Sequence, residues 1–116
     1  MQLLPGYEQA IIPLEKFTKY ALNPAVAPDK AIAFEMALGY TIKDADRLIN
    51  NIRCHLGDFS CVEKGDIGYG MTYEVIMLLT GKNGRSAFVL TAWIKDSKKD
   101  ELRLTSAYVK KRKEGM

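Results

Sequence analysis

From Thr72 to Lys95 the chain carries two runs of alternating character, TYEVIMLLT and SAFVLTAWIK, parted by Gly81-Lys82-Asn83-Gly84-Arg85. A period of two marks a strand with one buried face, and Asn-Gly between two such runs is the strongest short-range hairpin signal. With Asn83 and Gly84 as a two-residue loop, Lys82 faces Arg85. One face then pairs Leu79 with Phe88, Met77 with Leu90, Val75 with Ala92 and Tyr73 with Ile94. The other pairs Thr80 with Ala87, Leu78 with Val89, Ile76 with Thr91 and Glu74 with Trp93. The alternative is a longer loop with a bulge, and a slip of one residue scrambles this division.

Before the hairpin the pattern is helical. Residues 1–13, with Pro5, Gly6 and Pro13, read as an irregular arm. Leu14–Leu22 makes a short helix with Leu14, Phe17, Tyr20 and Ala21 inward, ended by Asn23-Pro24. Asp29 is the predicted N-cap of a helix over Lys30–Leu38, with Phe34, Met36, Ala37 and Leu38 as its apolar surface and Gly39 as its stop. Thr41 or Asp44 caps a second helix to about Leu56, whose Ala45, Leu48, Ile49, Ile52 and Leu56 form a stripe at helical spacing.

Phe59–Lys64 reads as a first strand, followed by a glycine-rich loop to Gly70. Glu101–Val109 is a last strand that returns across the five-residue loop Asp96–Asp100. That loop sets Arg103 beside Trp93 and Thr105 beside Thr91. The expected fold is α+β: N-terminal helices on one face of a four-stranded antiparallel meander, in one domain over residues 1–116.

Composition changes this picture little. Hydrophobic residues at 47% and charged residues at 27% are those of an ordinary soluble domain, with no run long enough to span a membrane. The N-terminus lacks the order of a signal peptide, so a cytoplasmic location is expected. Cys54 and Cys61 match no metal spacing, and with one histidine they make a poor zinc set. The expectation is therefore no metal and no cofactor. Net charge is +3, concentrated at Lys110-Lys111-Arg112-Lys113. Such a tail favours nucleic acid or simply keeps a terminus solvated.

Candidate chemistry follows from the register. Glu74, Thr91, Trp93, Arg103 and Thr105 fall together on the face the helices do not need. An arginine stacked on tryptophan can hold a phosphate bidentately, with threonine hydroxyls as further donors. Ordinary cross-strand pairing accounts for any one of these pairs. His55 at the end of a helix is a general-base candidate or a cap. Lys30, at a helix start, and Tyr69, beside the glycine loop, complete the set.

The segments LEKFTKYALNP, DKAIAFEMALGYT, YGMTYEVIMLLTGKNGRSAFVLTAWI and LRLTSAYV resemble a group of small uncharacterised bacterial domains. These domains also occur as C-terminal tips of secreted polymorphic toxins. The resemblance covers residues 14–109. It runs through Asn23, Pro24, Lys30, Gly39, Tyr69, Gly70, Tyr73, Asn83, Gly84, Arg85, Trp93, Arg103, Thr105 and Tyr108. The chain departs where that group often has proline, at Glu101 or Leu102 and at Val109. Such tips are similar in pattern to the superfamily of barnase, EndoU, the tRNase colicins and RelE-type toxins. The resemblance implies a metal-independent RNA-binding or RNA-cleaving domain. Arg103 would hold the scissile phosphate, Thr105 and Thr91 would position it, and Trp93 and Tyr69 would bind substrate. Glu74, Lys30 or His55 would move protons. The alternative expectation is a non-catalytic protein-interaction module with a cognate protein as partner.

Overall fold

The computed structural model describes residues 2–110. Two helices, α1 (Pro28–Leu38) and α2 (Ala45–His55), precede four strands: β1 (Cys61–Asp66), β2 (Gly70–Thr80), β3 (Ser86–Asp96) and β4 (Leu102–Val109). The strands form one antiparallel sheet in the order β1-β2-β3-β4. The helices pack on one face, α2 over β2 and α1 over β3 and β4. This is the expected α+β meander.

The sheet's inner face is apolar where the chain alternates. Tyr73, Val75, Met77 and Leu79 of β2 meet Val89 and Trp93 of β3 and Leu102, Leu104 and Ala107 of β4, over Phe34, Leu38, Leu48 and Ile52 from the helices. α1 begins two residues earlier than expected. Pro28 occupies the first turn, where its missing N–H costs nothing, so Asp29 lies inside the helix and Ala27 precedes it. Met36, expected inward, is exposed. Phe17–Ala21 is wound as a π-helical turn, with the Leu22 N–H donating to the Phe17 carbonyl. Phe17 and Ala21 point inward, but Leu14 and Tyr20 are exposed.

The arm of residues 2–13 is irregular, yet it belongs to the core. The Cys61 N–H donates to the Gln2 carbonyl, and Leu4, Ala10 and Ile12 are buried. Ile11 forms a parallel bridge on the outer edge of β4, with the Leu104 N–H donating to the Ile11 carbonyl at 2.9 Å. Sequence reading stopped at Pro5 and Pro13 and missed this edge cover.

The register corrects the sequence expectation. β2 and β3 pair Leu79 with Ala87, Met77 with Val89, Val75 with Thr91, Glu74 with Ala92 and Tyr73 with Trp93, one residue from the pairing predicted. The loop has three residues, Lys82-Asn83-Gly84, closed by the Gly81 N–H donating to the Arg85 carbonyl. Only Gly84 takes positive φ, at 82°, whereas a two-residue type I′ loop needs it at Asn83 as well.

The helical layer explains the choice. The Asn83 N–H donates to the Leu38 carbonyl at the end of α1, and Gly81 sits so close that a Cβ there would strike that carbonyl. Lys82 donates to both oxygens of the buried Asp44 carboxylate, at 3.0 and 2.9 Å. Asp44 also accepts from the Thr41 backbone N–H and hydroxyl. The Thr41 N–H first, then the Lys82 ammonium, hold its carboxyl at about 2, below the ordinary 3.8. Asn51 of α2 adds a bond to the Thr80 carbonyl and one to the Tyr40 hydroxyl. The turn is thus bolted to the α1–α2 junction.

The second loop corrects the other half. The Asp96 N–H donates to the Glu101 carbonyl, so the loop is the four residues Ser97–Asp100 and not five. The Asp96 carboxylate accepts from the Lys98 and Lys99 N–H groups, which makes this aspartate the closing residue of the turn. β4 then pairs Leu104 with Trp93 and Ser106 with Ala92, leaving Thr105 as an extra, bulged residue.

Candidate functional site

These shifts dissolve the predicted row of Glu74, Trp93 and Arg103. Trp93 pairs with Tyr73 and Leu104, Glu74 with Ala92, and Arg103 with Ile94. The three residues stand in three different rows, and Trp93, 1% exposed, faces the helices. Its indole Nε1–H donates to the Thr91 hydroxyl at 2.8 Å, and that hydroxyl donates to the Val75 carbonyl at 2.9 Å. The Thr91-x-Trp93 pattern is therefore a buried polar chain inside an apolar core, with both side chains satisfied. It offers no stacking surface to a ligand.

The remaining candidates are dispersed. Glu74 lies half-buried on the open face. Arg103 is exposed near the sheet edge, beside the Ile11 bridge. His55 closes α2, and its Nδ1 lies 3.2 Å from the Asp58 carboxylate. Tyr69 stands exposed in the β1–β2 loop, where its carbonyl accepts from Ser97. Cys54 is exposed and Cys61 buried, both as free thiols, and burial pushes the Cys61 thiol up. Among the described residues no group of three or more His, Cys, Asp or Glu could hold a metal ion. Of the tail, residues 111–116 lie outside the described residues.

Two predicted residues do meet. Lys30 of α1 and Thr105 of β4 line a cleft of about 160 Å³ together with Lys16, Tyr20, Ala21, Ser106 and Ala107. Lys16, Tyr20 and Ser106 were not singled out by sequence reasoning. The bulge that turns Thr105 and Ser106 leaves no mark in an alternating pattern, and π-helical winding changes which residues of LEKFTKYAL face outward.

The second feature is the open face of the sheet. Val62, Ile76, Leu78 and Phe88 are 60, 42, 47 and 37% exposed, while Leu90 between them is buried. Phe88 pairs with Leu78, Leu90 with Ile76, and Val62 of β1 with Glu74, so the residues lie together on the open face across β1, β2 and β3. No helix of the described chain covers it.

A model of the family described as a domain of unknown function (DUF6883) matches residues 3–111. The chain belongs to that family. No curated protein and no solved structure matches it. Several positions on which the sequence resemblance rested have structural reasons here: Gly39 and Asn83 meet where the turn is bolted to α1, and Trp93 anchors the core. Asn23 holds the turn after the π-helical segment, accepting from the Ala25 N–H and donating to the Thr18 carbonyl. Lys30 and Thr105, also in that resemblance, line an open cleft. No helix among the described residues is long and apolar enough to cross a membrane.

Proposed function

We infer that the domain is a non-catalytic protein-interaction module whose partner docks on the open sheet face. The supporting observation is the patch of Val62, Ile76, Leu78 and Phe88, aliphatic and aromatic side chains left in water on a sheet whose other face is fully used. Contiguous patches of this kind mark docking surfaces. The partner this chemistry suits is a protein with an apolar surface and a cation at its rim to meet Glu74. Catalysis by the predicted set has less support. His55, Glu74 and Lys30 sit at separate places, so no proton mover accompanies Thr105 except Lys30.

The test uses a photo-crosslinking residue at Leu78 and, as control, at Glu35 on the exposed side of α1, with growth and total RNA followed on expression. A single protein adduct at Leu78, absent at Glu35, with normal growth and intact RNA is expected. Growth arrest with RNA cleavage, or no adduct at Leu78, overturns the reading. RNA binding by a relative of toxin tips is a second reading, favoured by the meeting of Lys30 and Thr105 with Lys16.

A further inference from the structure

We propose that the cleft between the π-helical turn, α1 and the edge of β4 is a binding site for a tetrahedral phosphate-class oxyanion. The cleft is lined by two lysines, by Tyr20 and by the adjacent Thr105 and Ser106 of β4, and no Asp or Glu is among its lining residues. Glu15 and Asp29 neighbour the two lysines in sequence but stay outside the lining. Among the described residues, the ion pairs of lysine engage Lys82 and Lys95, not Lys16 or Lys30. Each cleft lysine instead lies over an aromatic ring, Lys16 at 5.8 Å from Tyr20 and Lys30 at 5.7 Å from Tyr108. A ring face steadies an ammonium without consuming its N–H donors. Among the described residues, the serine and threonine hydroxyls that bond within the fold are those of Thr18, Thr41, Thr72, Thr80 with Ser86, Thr91 and Ser97. Thr105 and Ser106 are not among them.

The bulge supplies the geometry. In a regular strand, neighbouring side chains point to opposite faces. The extra residue at Thr105 breaks that alternation beyond the Ile11 bridge, where the β4 edge opens. Donors then converge from three segments of the chain, which suits an anion with oxygens in several directions better than a planar carboxylate. The volume of about 160 Å³ lies below the roughly 300 Å³ at which sites for whole small molecules begin. The cleft therefore takes one anionic group, either free phosphate or a phosphodiester of a longer ligand. This inference does not depend on the docking of a protein at the open face.

The experiment is an amide NMR titration of the full chain with inorganic phosphate, with chloride at matched ionic strength, and with a dinucleoside monophosphate. Saturable shifts at Thr105, Ser106, Ala107, Lys16 and Lys30 are expected with phosphate and not with chloride. Lys30→Ala should weaken binding roughly threefold, the size of an exposed charge contact. Lys16→Ala with Lys30→Ala should weaken it roughly tenfold, and Lys19→Ala, outside the lining, should change nothing. The dispersed spectrum of each variant reports folding in the same sample. Tighter binding of the dinucleotide at these residues assigns the source to nucleic acid, and binding of phosphate alone assigns it to a free anion. Shifts that follow ionic strength, spread over all lysines, or saturate as tightly in the double variant as in the wild type overturn the proposal.

Discussion

The two faces of the β2–β3 hairpin are built from similar residues and have opposite fates. The inner face holds Tyr73, Val75, Met77, Val89 and Trp93, all buried, together with the one hydroxyl that satisfies the indole. The outer face holds Ile76, Leu78 and Phe88, no less apolar and left in water. Hydrophobicity alone does not choose between them. The choice is made at the turn: one residue more or fewer between the strands would exchange which side of β3 faces the helices. The two faces should therefore respond differently to the same kind of substitution.

Trp93→Ala should break the inner face outright. Deleting a fully buried indole costs about 3–5 kcal/mol, a large part of a small domain's stability, so urea unfolding should show a much lower midpoint or no folded baseline. Thr91→Val probes the polar chain separately. It keeps the shape but leaves the indole N–H without its acceptor, for which about 1–3 kcal/mol is expected. In a double-mutant cycle, Trp93→Phe should remove most of the Thr91→Val penalty, because phenylalanine has no donor to strand.

Asp44 fastens the turn that sets the faces, and its contribution depends on pH with a definite sign. Its carboxyl is held at about 2 in the folded chain against an ordinary 3.8, so protons bind more tightly to the unfolded chain. The stabilisation is complete above the ordinary value and is lost as pH falls through about 2. Asp44→Asn should lower the urea midpoint at neutral pH. The gap between variant and wild type should close between about pH 4 and 2.

The fold was legible in the sequence because its signals are local. Alternation gave both central strands, the Ala45–Leu56 stripe gave α2, and Gly39 marked the end of α1. The inner positions of β2, Tyr73 through Leu79, were read as one apolar face and are one. The candidate site was not legible because it depended on parity carried across two loops. Asn-Gly pointed to a two-residue turn, but the contacts that decided against it come from Leu38 and Asp44, some forty residues earlier in the chain. Asp96 reads equally well as loop or as closing residue, and the Thr105 bulge has no sequence mark at all. Each ambiguity displaces a side chain by one step, and a site defined by a row of three could not survive them.

Two substitutions in the turn sharpen that point. Gly84 sits at φ 82° with open space around it, so Gly84→Ala should cost about 1 kcal/mol from backbone strain alone. Asn83 does not take positive φ, and its side chain accepts from the Arg85 N–H at 2.9 Å. Asn83→Ala should therefore cost less than Gly84→Ala in urea unfolding. In a type I′ turn both positions would carry strain, so equal penalties would argue for the two-residue loop.

The smallest effect on stability belongs to the outer face, and it completes the contrast. Ile76→Thr and Leu78→Thr replace side chains that already face water on strand positions where a β-branched residue fits the pleat. Little apolar area is returned to solvent, and substitutions of exposed positions stay within about 0.5 kcal/mol. The urea midpoint should hardly move. The crosslinked adduct formed from a probe at Phe88, on the strand that faces Leu78, should fall sharply in the same variants. A loss of stability comparable to that of Thr91→Val would mean that the outer face is part of the core's support, and the difference between the two faces would then be one of degree and not of role.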